Sequence, residues 1–121
     1  MQYVCLVYFD PKVVFGGSRE AEEMHARIGP HIAAMKASGH MVSAHPLALP
    51  EDAITVRVRD GATTTTDGPF METKEVLGGI VVIDARDLNE AVQVASAFPN
   101  ASLGSVEVRP LVDYSKPRPR L

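Results

Sequence analysis

Thr65-Thr66-Asp67-Gly68-Pro69-Phe70-Met71-Glu72-Thr73-Lys74-Glu75 divides the 121-residue chain into two halves of the same kind. It joins a turn signal, Asp67-Gly68-Pro69, to an aromatic and a run of charged side chains. Just upstream, Ile54-Thr55-Val56-Arg57-Val58-Arg59 alternates apolar with polar, as a half-buried strand does. Asp60-Gly61 is a two-residue hairpin turn, and the returning strand covers about Ala62 to Thr66. Further back, Tyr3–Phe9 is a strand rich in β-branched and aromatic residues. A helix follows, N-capped by Ser18, with Met24, Ile28, Ile32 and Met35 at helical spacing and Gly39 as its stop. Pro30 predicts a kink in it, or two consecutive pieces. Met41–His45 is a weaker strand closed by Pro46.

Downstream the plan repeats. Leu77–Ile83 is a strand, and Gly78-Gly79 predicts a bulge or a close backbone approach in it. Asp87-Leu88-Asn89-Glu90 starts a helix with a capping-box pattern, and Pro99-Asn100 ends it. Ser105–Arg109 is the last strand. The order β-α-β, β-hairpin, β-α-β predicts an α+β, ferredoxin-like domain with an antiparallel sheet over residues 1–113. Residues 114–121 form a Pro- and Arg-containing tail, expected to be poorly packed.

Two helices cover only one face of such a sheet. Yet in Tyr3–Phe9 both residue sets, Tyr3/Cys5/Val7/Phe9 and Val4/Leu6/Tyr8, are apolar or aromatic. Leu77–Ile83 is likewise apolar on both sides. The uncovered face therefore calls for a partner, and a second copy packed sheet to sheet is the simplest one. A homodimer is expected.

A length of 121 residues suits one domain with a core of its own. A net charge of −3 argues against a nucleic-acid surface, and no aromatic–basic interleaving supports RNA stacking. No apolar run is long enough for a membrane span, and no basic-flanked leader opens the chain. The lone Cys5 excludes an intrachain disulfide and reads as a small buried hydrophobe. A cytoplasmic location is expected. No nucleotide fingerprint, nucleophile elbow or His-x-x-x-His spacing occurs, so neither cofactor nor metal is implied.

The run Thr66–Glu75, centred on Asp67-Gly68-Pro69-Phe70, resembles the signature of DGPF-domain proteins, a branch of the YCII-related family. Thr55–Gly61, Leu77-Gly78-Gly79, Asp87–Ala91 and Ser105–Pro110 fit the same pattern, so the resemblance spans almost the whole chain. It implies ferredoxin-like subunits paired as a dimeric α/β-barrel. It also implies relatives that look like enzymes with a His and an Asp in a cleft, one branch dehydrochlorinating a hydroxylated aromatic. Association with an extracytoplasmic-function sigma factor is a further implication. The His–Asp pair does not transfer cleanly. Counting back from Gly39 puts the family's His at Ile28, between His25 and His31, and its Asp near Glu51 and Asp52.

Five side chains are candidates for chemistry. Asp67 is a general base aimed into a cleft, or simply a turn residue with Phe70 as a core anchor beside it. His31, on the apolar side of the first helix, is a catalytic imidazole or a hydrogen-bonded core histidine. Glu72 and Lys74 are an acid/base or anion-binding pair, or a solvated surface pair. Arg109 shares a strand face with Glu107, opposite Val106 and Val108. It binds a carboxylate or phosphate ligand, or bridges to an acidic neighbour. Two functions fit. One is a small-molecule enzyme with acid–base or lyase-like chemistry in a cleft near the dimer interface. The other is a non-catalytic ligand-binding or regulatory module, the sigma-factor partner included.

Overall fold

A computed structural model describes residues 1–118 and 120. The elements follow in order as β1 (Gln2–Phe9), α1 (Pro11–Val14), α2 (Arg19–Ser38), β2 (Met41–Pro46), β3 (Ile54–Arg59), β4 (Ala62–Asp67), β5 (Val76–Asp84), α3 (Leu88–Ser96) and β6 (Gly104–Pro110). Short 3-10 turns cover Pro50–Asp52 and Pro99–Ser102. Four strands form one antiparallel sheet in the order β2-β5-β1-β6, and β3 pairs with β4 alone. This is the ferredoxin-like plan with a hairpin inserted between its halves.

Local chemistry sets the helix ends. Ser18 Oγ accepts from Ala21 N at 3.1 Å, and Glu20 and Glu22 sit near the positive end of α2. Gly39 takes a φ of 80° and His40 N donates to Met35 O, so the chain leaves α2 through a left-handed residue. Between these ends α2 runs unbroken through Pro30, not as two pieces. Asp87 Oδ1 accepts from Glu90 N at 2.9 Å and caps α3. The short α1 was not expected from the sequence. Asp10 caps it and Pro11 occupies its first turn, so the residues that end β1 also start a helix.

Tyr3, Cys5, Val7 and Phe9 are buried against the helices. With Ile83, Met35, Ala91, Ala95 and Phe98, the first three of these make the main core. Phe9, Val14 and Met24 form a second cluster at the other end. Each Val, Ile, Phe or Met among them contributes about 1.5–3 kcal/mol on burial. Burial also pushes the Cys5 thiol up to about 11. Cys5 therefore stays protonated at pH 8. In the native protein it should not react with Ellman's reagent over an hour, and should react fully once unfolded; fast native reaction would mean that β1 is not sealed by the helices.

The other face of the sheet carries Val4, Leu6, Tyr8, Ile80 and Val82, only half-buried. Glu107 pairs with Leu6 and Arg109 with Val4, so both lie on this open face, as the alternation predicted. The expected Gly78-Gly79 irregularity is present. Register passes from Val7/Gly79 to Tyr8/Leu77, leaving Gly78 unpaired opposite β1. Phe70 corrects an expectation. It is 71% exposed and not a core anchor. The β3–β4 hairpin that leads into it packs almost only on itself, so no core lies within its reach. Phe70 instead lies under the Arg57 guanidinium, 5.4 Å from ring centre to Cζ. Tyr114 and the described tail residues beyond it are exposed; residues 119 and 121 of the expected tail lie outside the described residues.

Candidate functional site

Between α2 and the covered face of the sheet lies a cavity of about 190 Å³. Val7 and Phe9 of β1, Val81 of β5, Ile28 and Met35 of α2, and Phe98 bound it. The unpaired Gly78 and its neighbour Gly79 form one wall, where the absence of side chains leaves space. His31 and Asn100 are among the few polar residues on the lining. An apolar cavity of about 150 Å³ stays dry and takes up benzene, so this volume matches one small ring with modest substituents.

His31 is the chemically notable group. Its Nε2 is buried and has no hydrogen-bond partner among the described residues. Its ring meets Phe98 edge-on, with centroids 5.0 Å apart. A core histidine would normally have its nitrogens paired, because an unpaired buried polar atom costs about 1–3 kcal/mol. Burial also lowers the imidazole's pKa below its ordinary 6.5, so at neutral pH it is uncharged. A neutral imidazole can accept a proton at one nitrogen and donate at the other. His31 also borders a shallower groove between α2 and α3. In that groove His40 Nε2 meets Glu90 Oε1 at 3.3 Å. The Arg86 guanidinium, bonded to Glu90, holds that carboxyl below its usual range.

The other candidates do not join His31 within one chain. Asp67 ends β4, opposite Ile54, and its exposed carboxylate has no hydrogen bond among the described residues. The turn after it is as expected, with Gly68 at a φ of 103°. That turn is held by Gly68 N donating to Ala53 O at 2.7 Å and by Thr55 Oγ1 donating to Gly68 O at 3.0 Å. Glu72 and Lys74 line a wide groove with Asp10, Lys12 and Glu51, floored in part by Pro11, Pro50, Pro69 and Val76. Arg109 Nε donates to Glu107 on the open face, so the neighbouring acid is its partner. Of the positions matched to the family's His–Asp pair, Ile28 lines the cavity, while Glu51 and Asp52 stand exposed in the 3-10 turn. His25 Nε2 donates to Val14 O at 2.9 Å, and the ring stacks on Phe15.

Phe98 and Asn100 were not singled out from the sequence as site residues. The only signal was position: both sit where α3 gives way to a turn, and only the packing of that turn under α2 brings them to His31. Among the described residues no three His, Cys, Asp or Glu side chains come together as a ligand set, and no helix is long and apolar enough to cross a membrane.

The topology and sheet order define a ferredoxin-like α+β protein. Residues 1–115 match the YCII-related domain, and the chain belongs to that family. It is 38% identical over 120 residues to an uncharacterised protein of Rhizobium meliloti (strain 1021), covering 94% of each chain. Its fold is similar to that of 5-chloro-2-hydroxyhydroquinone dehydrochlorinase from Burkholderia phenoliruptrix AC1100, solved in complex with 2,5-dihydroxybenzoquinone. That likeness has a TM-score of 0.54 at 14% identity and covers 93% of this chain and 94% of the other. At this identity it speaks for the fold.

Proposed function

We propose that this chain holds a small, ring-sized organic molecule in the cavity between α2 and the sheet and carries out acid–base or lyase-like chemistry on it through His31. One observation carries the reading: an apolar cavity of about 190 Å³ lined in part by His31, whose buried Nε2 has no partner among the described residues. A turn of the ring toward the cavity would let a ligand hydroxyl or carbonyl satisfy that nitrogen. A neutral imidazole is a competent general base toward a ring hydroxyl near pH 7. The fold shared with a dehydrochlorinase that binds a dihydroxybenzoquinone supports a ligand of this size. The Asp67-Gly68-Pro69-Phe70 run supports the DGPF branch within the family. The half-buried apolar residues on the open face support pairing with a second copy, and the single buried thiol of Cys5 supports a cytoplasmic, reducing location.

A non-catalytic binder is the second reading, and one observation favours it. Among the described residues no carboxylate meets the buried Nε2 of His31, as the partner of a catalytic base would. A link to a sigma factor finds no support in the comparisons.

Calorimetric titration with 2,5-dihydroxybenzoquinone as probe tests the cavity. Wild type should bind it, His31→Phe should bind at least tenfold more weakly, and His31→Gln should retain part of the affinity. Equal binding by all three proteins would remove His31 from the site. The same residue sets a pH dependence. Its folded pKa lies below the unfolded value of about 6.5, so the unfolded chain takes up the proton first. Its contribution to stability is therefore full above about pH 6.5 and is lost as pH falls below that. Between pH 7 and 5, wild type should lose more stability than His31→Gln by denaturant titration. Parallel curves would mean that the imidazole is solvated.

A further inference from the structure

The β3–β4 hairpin presents two unlike faces. Register places Ile54 with Asp67, Val56 with Thr65 and Val58 with Thr63 on one face. Thr55, Arg57 and Arg59 with Thr66, Thr64 and Ala62 form the other. The aliphatic face is not covered: Ile54, Val56 and Val58 are 65%, 60% and 56% exposed. Asp60 and Gly61 both take positive φ, 51° and 76°, as a tight twisted hairpin turn requires. An isolated two-stranded hairpin is marginal in water, and this one packs almost only on itself. Its order must come from a surface outside its own subunit.

Resting on the proposal that the chain pairs with a second copy, we infer that this hairpin is an exchange arm. Its Ile54/Val56/Val58 face packs on the other copy and carries Asp67, at the root of the same face, into the interface. Three arguments select a second copy. The chain has two uncovered apolar surfaces, the arm and the open face of the sheet, and a twofold mate supplies a cover for both in equal numbers. Ile54, Val56 and Val58, each more than half exposed, add their apolar surface to the half-buried residues of the open face. Together they supply an apolar centre for a standard interface of roughly 800 Å² per partner. The charge disfavours a lipid surface, since the net charge is −3 and the arm's apolar face ends in a carboxylate.

Light-scattering mass measurement and sedimentation decide the matter, with the full chain. Wild type should be a dimer at micromolar concentration. Val56→Glu, at the centre of the aliphatic face, should raise the dimer dissociation constant at least 100-fold. Arg57→Glu, on the opposite face, should leave it within threefold. Circular dichroism and the silence of Cys5 toward thiol reagent confirm that Val56→Glu is folded. A second readout needs no disruptive charge. In Thr65→Cys, the new thiol on the aliphatic face should be protected in the dimer and should react at least tenfold faster when Val56→Glu is added. A dimer of unchanged affinity in Val56→Glu, or full reactivity of Thr65→Cys in the dimer, overturns the arm while leaving sheet-to-sheet pairing intact. A wild-type monomer overturns both, and assigns the apolar face to some other partner, protein or lipid.

Discussion

Gly78→Ala should abolish binding of a ring-sized ligand while leaving the protein folded. A methyl carbon at this position would lie 2.0 Å from Cε2 and 2.3 Å from Cζ of Phe9. Carbon atoms in contact sit about 3.5–4.0 Å apart, so the ring must move by about 1.5 Å. The direction of that movement is constrained. On one side Phe9 packs with Val14 and the fully buried Met24, and meets Phe15 edge-on at 5.8 Å. On the other is the cavity that Phe9 and Gly78 both line. A close-packed cluster resists and empty space yields, so the ring moves into the cavity. The cost of such overpacking is about 1–3 kcal/mol, and the volume that receives the ligand is filled. Titration of Gly78→Ala with 2,5-dihydroxybenzoquinone should show no heat of binding, with a cooperative denaturation curve at a lower midpoint. Wild-type affinity in this variant would place the ligand elsewhere.

Ile83→Ala should be the most destabilising conservative truncation in the chain. Ile83 is fully buried, and it pairs with Tyr3 on one side and Met41 on the other. Its strand is hydrogen-bonded along both edges, so the backbone has little freedom to collapse into the space left behind. Truncations of this kind cost about 2–5 kcal/mol, and a site that cannot relax falls in the upper half of that range. In urea the unfolding midpoint should drop sharply with the slope unchanged. Leu88→Ala is the control. Leu88 is 51% exposed on α3, and its truncation should stay within about 0.5 kcal/mol. A loss below about 1 kcal/mol at Ile83 would contradict the packing of β5 described above.

Much of the fold was legible because its signals are local. Ser18, Gly39 and Asp87 bound helices by hydrogen bonds within a turn of themselves, and Asp60-Gly61 sets a hairpin within four residues. Leu77–Ile83 reads as a strand apolar on both sides, and β5 does lie inside the sheet, between β2 and β1. Phe70 was misread because hydrophobicity measures the tendency to be buried, not the presence of a core nearby. The site was legible only in part. His31 could be picked out as an imidazole on an apolar helix face. Its lack of a partner could not, since that depends on Phe98 and the turn after it arriving from seventy residues away or so along the chain. Asp67, Glu72 and Lys74 look like one constellation because they are close in sequence. In the fold Asp67 stays on the isolated hairpin, while Glu72 and Lys74 turn to a groove beside Asp10 and Lys12, and none of them lines the cavity with His31.

The sheet order also bears on how the chain acquires its structure. Cys5 in β1 is paired with Val81 on one side and Val108 on the other. β1 thus finds both its neighbours, β5 and β6, more than sixty residues further along the sequence. Pairings of such long sequence separation make folding slow, because a large loop must close before any contact rewards it. Until β5 and β6 are in place, Tyr3–Phe9 is apolar on both faces and has neither of its sheet edges paired. The strand that becomes an inner one of the finished sheet is therefore the last to have its edges closed.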